Sequence, residues 1–511
     1  MQTPRSGQMQ RSLSVQRMKA ARQFWQEDRP AEAYQALQEI LALDPGFAAA
    51  QGLLRTVVQA LETADPHLSR LQLMAVAEPL EAGIHLDLGS AYLRRGRTRD
   101  AARHFETARA LGRVREAGAE LARMQLRAGH LKAARDSAEA ALGADADHDP
   151  EGVCHAIACE VMADLAALSG DGDGRRRWLD RAYAEAPVFV RDVAGSPFTT
   201  LVLTTVEQGN LSLGDILPDE SHARAVWTMD YARPDQFTRL PPHQVVLNAI
   251  GDPDHIMASL PVLDAFCRQS ERPVLNAPAR ILATARDRLG ATLDGIDGVL
   301  TPRTLRCDFA ALSGRTMTDI RSEFGLELPL ILRPAGTHGG EGMARIDSDA
   351  FSVESWRAGQ KTTFSDVYLT QYVDYRSADG HFRKYRMMFI DRTPYPYHLA
   401  IGRNWVVHHD TADMTRDRQK RAEELAFLAD PEAALGRRAL DAIGAIARRI
   451  DLDYAGIDFA LSPTGEVIVF EANAPMVVHR ERSDGPFAAK APYIATIIDA
   501  FQRHLAARAA E

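Results

Sequence analysis

The chain has 511 residues, 46% of them hydrophobic and 25% charged, with a formal net charge of -9. That length can hold about two to four domains with real cores, and the acidic balance excludes a general nucleic-acid or anionic-membrane binder. Cys154, Cys159, Cys267 and Cys307 show no C-x-x-C spacing, which excludes a disulfide framework or zinc ribbon. A polar start, Met1 to Ala20, and the lack of any uncharged run of membrane-spanning length predict a soluble, reduced, cytoplasmic protein.

The first third reads as a helical repeat array. Residues 82–115 carry His85, Leu88, Gly89, Tyr92, Ala101, Phe105 and Ala108, a spacing that resembles the tetratricopeptide pattern. Equivalent positions recur 68 residues earlier as Phe24, Ala33, Leu37, Ile40 and Pro45, and 33 residues later as Leu121, Ala122, Gln125, Ala134, Ala138 and Ala141. A weaker unit holds Arg55, Leu71 and Met74, and a fifth, with an insertion at Gly170–Gly174, ends near Pro187. Stacked helix pairs leave a concave surface suited to a peptide or protein, or serve as a structural cap or dimerisation arm. Arg94, Arg95, Arg97, Arg99, Arg103, Arg109, Arg113 and Arg115 stand around Asp100 and Glu106. Both an acidic docking segment and a plain solvated face fit that cluster.

From Pro197 the texture changes to short apolar runs between helical ones. Phe198–Thr205, Ala223–Met229 and Gln244–Asp252 read as strands, His255–Gln269 as an amphipathic helix, and Pro273–Asn276 as a further strand. This alternation predicts a mostly parallel α/β layer, with Gly251, Asp252 and Asn276 at strand ends where such sheets meet ligands. Strand-end turns also favour these residues for backbone reasons alone.

Leu328–Arg333 reads as a buried strand running into a loop with Gly336, Gly339, Gly340 and Gly342. Glycines let backbone N–H groups close around phosphate oxygens, and Arg333 adds a charged fork. The loop is neither a Walker A sequence nor a Rossmann fingerprint. Val367–Val373 is a strand followed by Asp374, and Arg383, Lys384 and Arg386 open the strand to Ile390. Basic side chains beside a buried strand are costly unless anions meet them. Trp405–Met414 holds His408, His409, Asp410 and Asp413, which suit either acceptor orientation or a hydrogen-bonded loop.

Asp453–Asn473 predicts a β-hairpin about Ser462–Gly465. A loop of two or four residues sets Asp458 opposite Val469, with Glu471 diagonal to Asp458 and Val469, Glu471 and Asn473 on its side. Ile457, Phe459, Leu461, Ile468 and Phe470 fill the other face. Carboxylate and amide oxygens are hard ligands that suit Mg²⁺. At diagonal spacing, two ions bridged by Glu471 reach all three side chains, whereas one does not. A solvated acidic hairpin end is the plain alternative.

Taken in order, residues 198–505 resemble the ATP-grasp superfamily in its glutathione synthetase and RimK-like branch. The resemblance implies a pre-ATP-grasp α/β domain over 198–300 and an ATP-grasp α+β domain over 301–505, behind a tetratricopeptide α-solenoid over 1–187. Arg333 stands where the family usually has a phosphate-binding lysine, and Gly336, Gly339, Gly340 and Gly342 match its flexible glycine lid. Gln371, Tyr372, Val373 and Asp374 fall at the adenine and ribose hinge. Arg386 matches an Asp-x-Arg arginine, although Lys384 replaces the aspartate. Arg403 and Asn404 match residues facing phosphates and acyl substrate, and Asp458, Glu471 and Asn473 match the metal ligands. The implied activity is an ATP-dependent carboxylate–amine or carboxylate–thiol ligase working through an acylphosphate, with two Mg²⁺ ions that Mn²⁺ can replace. A peptide or protein substrate would dock on the repeats, and a homodimer is an open arrangement. The other class of reading is a non-catalytic ATP-binding scaffold that recruits a partner through the repeats.

Overall fold

The computed structural model describes residues 17–27, 29–43, 47–63, 66–94, 97–145, 149, 152–183, 188–191, 193, 195–206, 209–218, 222–337, 339–360, 364–407, 412, 414–481 and 485–511. The chain divides into two compact units, Met1–Ala186 and Pro187–Glu511. Among the described residues no helix is long and apolar enough to cross a membrane.

The first unit is all helical: residues 17–26 (α1), then α2 Pro30–Leu43, α3 Ala48–Thr63, α4 Pro66–Ala77, α5 Ala82–Arg94, α6 Thr98–Ala110, α7 Val114–Arg127, α8 Leu131–Gly143, α9 Val153–Leu168 and α10 Gly172–Tyr183. Successive helices pack as pairs because small residues recur on the facing stripes. A Cβ at Gly89 would stand 2.6 Å from the Phe105 ring, so only glycine admits the α5–α6 approach. Leu37, Ile40, Leu88, Phe105 and Leu121 are buried in these contacts. The expected insertion at Gly170–Gly174 is instead the α9–α10 turn. There Asp171 accepts from the Gly174 N–H at 2.7 Å, which starts α10.

The arginine cluster is largely neutralised within the unit. Arg97 pairs with Asp100 at 2.8 Å, Arg113 with Glu116 at 2.6 Å, Arg109 with Glu106, and Arg115 with Asp149 at 3.8 Å. Arg95 lies outside the described residues.

The second unit holds three sheets. β1 Val188–Arg191, β2 Thr199–Thr204, β3 Ala223–Thr228, β4 Val245–Asn248 and β5 Val274–Leu275 form the first, in the order β1-β3-β2-β4-β5. Its last four strands are parallel, as the alternating pattern predicts, and β1 runs antiparallel. The strand at 244–252 stops at Asn248 and the next helix, α11, spans Leu260–Gln269. Asp252 causes the delay by accepting from the Asp254 N–H at 2.7 Å and capping a turn.

Helices α12 Pro278–Leu282 and α13 Arg286–Leu293 lead into β6 Val299–Leu300, which joins the third sheet, so the boundary expected near residue 300 falls inside one compact unit. The second sheet has β7 Thr304–Asp308, β8 Leu330–Pro334, β9 Ala344–Ile346 and β10 Asp366–Gln371 in the order β7-β10-β8-β9, all antiparallel, with α14 Met317–Phe324 and α15 Val353–Ala358. The glycine loop joins β8 to β9. The third sheet, in the order β12-β11-β13-β14-β6, holds β11 Phe382–Ile390, β12 Thr393–Gly402, β13 Tyr454–Leu461 and β14 Val467–Asn473. α16 Arg418–Ala429, α17 Pro431–Leu435 and α18 Arg437–Ile450 precede the hairpin, and α19 Ala491–Ala509 follows it. The apolar stripe of α18, Ala439, Ile443, Ile446 and Ile450, is buried in the core that backs this sheet.

The hairpin register differs from the expected one. Residues 462–466 form the turn, closed by Ser462 N–H donating to the Glu466 carbonyl at 2.9 Å. The extra turn residue slips the pairing, so Phe459 faces Val469. A bulge at Phe470 then sets Asp458 directly opposite Glu471, and Gly456 opposite Asn473. Val469 therefore shares a side with Phe459, and the two acids are nearest cross-strand neighbours.

Candidate active site

One row of side chains crosses four strands: His398 on β12 pairs with Arg386 on β11, Arg386 with Asp458 on β13, and Asp458 with Glu471 on β14. Strand alternation turns the apolar Tyr385 into the core and sends Lys384 and Arg386 to the other face. Both cations reach Asp458. Arg386 Nε donates to Oδ1 at 2.7 Å and Nη2 to Oδ2 at 3.0 Å, while Lys384 Nζ donates to Oδ2 at 2.9 Å. Only 2% of the Asp458 side chain is exposed. Burial pushes its carboxyl up, but Arg386 and Lys384 more than offset that and hold it well below the usual carboxylate range.

Glu471 has a partner the sequence did not disclose: Arg286 Nη2 donates to its Oε2 at 2.5 Å. Burial raises the Glu471 carboxyl and Arg286 brings it below its ordinary value. Arg286 opens α13 and no motif marks it. The available signal is its position, since a cation in the first turn of a helix opposes the helix dipole unless an anion meets it.

Arg333 donates from Nη2 to the Thr337 carbonyl, and its Nε is buried with no hydrogen-bond partner. Burial, reinforced by Arg286, lowers its guanidinium to about 10. These groups line one cavity of 520 Å³ together with Gly339, Gly340 and Asn473. Among the described residues its charged walls are four cations, Arg286, Arg333, Lys384 and Arg386, and two carboxylates, Asp458 and Glu471. The excess of positive charge calls for an anion. The uncharged wall includes the apolar Ile331, Met343, Val373 and Phe470 beside Thr304, Thr370 and Gln371. Tyr372 and Trp405 belong to it, their rings edge to face at 6.0 Å.

Several expected site residues stand elsewhere. Arg403 and Asn404 are exposed beyond the end of β12 and do not line the cavity, although the next residues, Trp405, Val406 and Val407, do. Asp374 is also outside, accepting from the Arg376 N–H at 3.0 Å. Gln371 lines the cavity, but its amide is committed to Glu327 and to the Pro329 carbonyl. Gly336 and Gly342 form the roots of the glycine loop, and only Gly339 and Gly340 face the cavity. Asn276 is interior: its Oδ1 accepts from the Asp453 and Tyr454 N–H groups at 3.0 Å, tying β5 to β13. His408, His409, Asp410 and Asp413 lie outside the described residues.

Asp458, Glu471 and Asn473 supply hard oxygen donors to one wall and fit Mg²⁺ by ligand type. Among the described residues the one cluster of three acidic or histidine ligands is Asp391, Asp453 and His504. Arg392 sits inside that cluster, 2.8 Å from Oδ1 of both aspartates, so the acids there are already matched.

No family model and no curated protein matches the chain. Solved structures with a similar path include a D-alanine–D-alanine ligase from Bacillus anthracis complexed with ATP, 13% identical over 61% of this chain and 99% of that one, with a TM-score of 0.38. The ATP-grasp ligase PsnB complexed with a precursor peptide and AMPPNP is 14% identical over 60% and 97%, at 0.34. A RimK domain ATP-grasp protein from Sphaerobacter thermophilus is 16% identical over 60% and 99%, also at 0.34. Likenesses at this level say nothing of this chain's chemistry, which rests on the cavity itself.

Proposed function

We propose that residues 187–511 are an ATP-dependent ligase that joins a carboxylate to an amine through an acylphosphate, with a thiol as the alternative acceptor. The observation that carries this reading is the cavity, which pairs a cluster of charge, with Arg286, Lys384 and Arg386 on two carboxylates and Arg333 in the same wall, with an aromatic and apolar part that holds Tyr372 and Trp405. A nucleoside triphosphate has that division, a flat base joined to a polyanion. Arg333 brings a buried donor with no present partner, and Arg286, Lys384 and Arg386 can exchange a carboxylate for phosphate oxygens as the nucleotide enters. That exchange frees the oxygens of Asp458 and Glu471, with Asn473, to hold Mg²⁺. When bound, the metal offsets charge developing on the transferred phosphoryl group.

The substrate carboxylate oxygen attacks the γ-phosphorus as the bond to the ADP oxygen breaks. The acceptor nitrogen then attacks the acyl carbon, phosphate leaves with the bonding electrons, and the nitrogen gives up a proton. Fixed cations at the phosphoryl oxygens serve the first step because they need no reorganisation during the reaction. Gly339 and Gly340 can lay backbone over the same oxygens and keep water from the acylphosphate.

Glu471→Gln, which keeps shape and removes charge, tests the reading. ADP release that depends on an added carboxylate, and hydroxamate formation with hydroxylamine, should fall by more than about tenfold, a barrier increase above roughly 1.4 kcal/mol. Wild-type protein that binds Mg-ATP yet yields neither product is instead the non-catalytic scaffold. The full pairing of both carboxylates with cations favours that second reading.

The helical unit is read as a tetratricopeptide array that recognises a peptide or protein substrate, supported by the recurring positions and by the Gly89–Phe105 approach. Deleting residues 1–187 should raise the KM for the natural substrate and leave Mg-ATP affinity nearly unchanged. An unchanged KM in the folded truncated enzyme would make the array structural.

A further inference from the structure

The segment after β4 has no part in the reading above, yet it touches two parts of the cavity wall. At one end Gly251 packs on the chain just past Asn473, where an added Cβ would lie 2.4 Å from the Pro475 nitrogen. At the other end Asp254, with 5% of its side chain exposed, gathers three donors from three elements. The Gly336 N–H donates to Oδ2 at 2.9 Å. The Tyr368 hydroxyl on β10 and Arg306 Nη1 on β7 donate to Oδ1 at 2.7 and 2.8 Å. Gly336 is the first glycine of the phosphate loop and has a φ of 71°. The carboxylate that meets its N–H comes from a part of the chain 82 residues away.

We propose that Asp254 is a positioning residue that fixes the root of the glycine loop, and so sets where Gly339 and Gly340 lie over the nucleotide. The other root is fastened separately, by Trp356 Nε1 donating to the Gly342 carbonyl at 2.9 Å. The loop is thus suspended between a charged anchor and a neutral one. Tyr368 and Arg306 hold Asp254 still, and a charge-assisted bond to the Gly336 amide is about twice as strong as a neutral one. Because Gly251 and Asp254 belong to one short turn, a displacement at Pro475, beside the metal-ligand strand, is passed to the loop root through covalent backbone. The inference rests on the nucleotide reading for its purpose, while the anchor itself does not depend on it.

Asp254→Asn keeps the shape and removes the charge. In the full chain, amide exchange at 336–342 should quicken about tenfold, the size of one lost charge-assisted hydrogen bond, while the melting temperature changes little. Mg-ATP affinity by calorimetry should weaken by about three- to tenfold. Tyr368→Phe removes a donor to the same carboxylate but spares the Gly336 bond, so loop exchange should stay near wild type. If Asp254→Asn does not fold, Asp254→Glu, which keeps the charge and moves the carboxylate by one methylene away from the Gly336 N–H, should still quicken exchange at 336–342. Unchanged loop exchange in the folded Asp254→Asn protein, or in Asp254→Glu where it is the variant read, overturns the proposal, as does equal quickening in Tyr368→Phe. Quickened exchange in a protein whose wild-type loop Mg-ATP fails to protect would keep the anchor and remove the nucleotide reading.

Discussion

The helical unit and the hairpin sheet both carry arginines beside acids, and they treat them in opposite ways. In the helices most pairs are local: Arg97–Asp100, Arg109–Glu106, Arg113–Glu116 and Arg123–Glu120 are all three residues apart, partly exposed, while Arg115–Asp149 is a more buried exception between distant residues. In the sheet, Arg386 reaches Asp458 across a strand and Arg286 reaches Glu471 from a distant helix, and Asp458 keeps only 2% of its side chain exposed. A local exposed pair adds tenths of a kcal/mol because water and salt already screen both charges. A buried pair offsets a desolvation cost that neither ion could bear alone, so losing one partner leaves the other stranded.

The largest expected effect follows from that difference. Asp458→Asn keeps the volume and leaves Lys384 and Arg386 facing each other without an anion. Unfolding of residues 187–511 by denaturant should show a loss of about 3–5 kcal/mol. A loss below 1 kcal/mol, on the order of a surface pair, would mean that water reaches these cations. Phosphate or a nucleotide should restore part of the loss in the mutant, since either supplies the missing charge.

Next comes a buried acid in the helical unit that has no such cation. Burial raises the Glu160 carboxyl from 4.5 to about 7, with Arg123 only partly opposing, and the Tyr183 hydroxyl donates to it. Its folded pKa lies above its unfolded one, so it favours folding fully below pH 4.5, and this contribution is lost as pH rises through about 7. Burial, with Arg103 adding to it, lowers His104 to about 4. That histidine acts in the reverse sense, favouring folding above about 6.5 and losing that effect as pH falls toward 4. Comparing wild type with Glu160→Gln cancels His104. The wild type should lose stability relative to the variant by up to roughly 3 kcal/mol between pH 4.5 and 7, by the linkage of about 1.4 kcal/mol per pKa unit. A pH-independent difference would place Glu160 in contact with solvent.

The sequence disclosed the hairpin, the glycine loop and the basic strand because each has a local pattern: period-two alternation, a run of glycines, and charges at odd places in an apolar run. It did not disclose the register, since one extra turn residue and a bulge at Phe470 are small local choices that move Asp458 from Val469 to Glu471. Nor did it disclose Arg286, because the contact with Glu471 joins a helix to a strand 185 residues away and has no spacing to read. Arg403 and Asn404 rest on likeness to a motif, and the turn after β12 leaves both exposed while it sets Trp405, Val406 and Val407 into the cavity wall. The arginine cluster left two readings open for a third reason: its partners Glu116 and Asp149 lie beyond the run of sequence that holds most of the arginines.

Arg333 is intermediate between the two regions, a buried cation whose one hydrogen bond is to a carbonyl and not to an acid. If it is held for phosphate, Arg333→Ala should weaken Mg-ATP binding by about tenfold or more, roughly 1.4 kcal/mol. Arg333→Lys should weaken it less, because it restores the charge without the fork. Calorimetry at saturating Mg²⁺ measures both. Equal affinity of wild type and Arg333→Ala would remove the phosphate role and leave Arg333 as a fastening for Thr337.

The smallest effect belongs to the surface pairs, and it decides whether the helical arginines are structural at all. Arg109 and Glu106 keep 35% and 47% of their side chains exposed. Held in water, such a pair gains little Coulomb energy and loses side-chain freedom in forming. Arg109→Gln should therefore change stability by less than about 0.5 kcal/mol, and raising the salt to about 1 M, where screening acts within roughly 3 Å, should erase even that. If the loss exceeds 1 kcal/mol, above the order expected of an exposed pair, the arginines hold the helices together and the contrast with the sheet fails. A negligible loss combined with a several-fold higher KM for a macromolecular substrate would show that the same arginines, though locally paired, are kept on the surface for a partner.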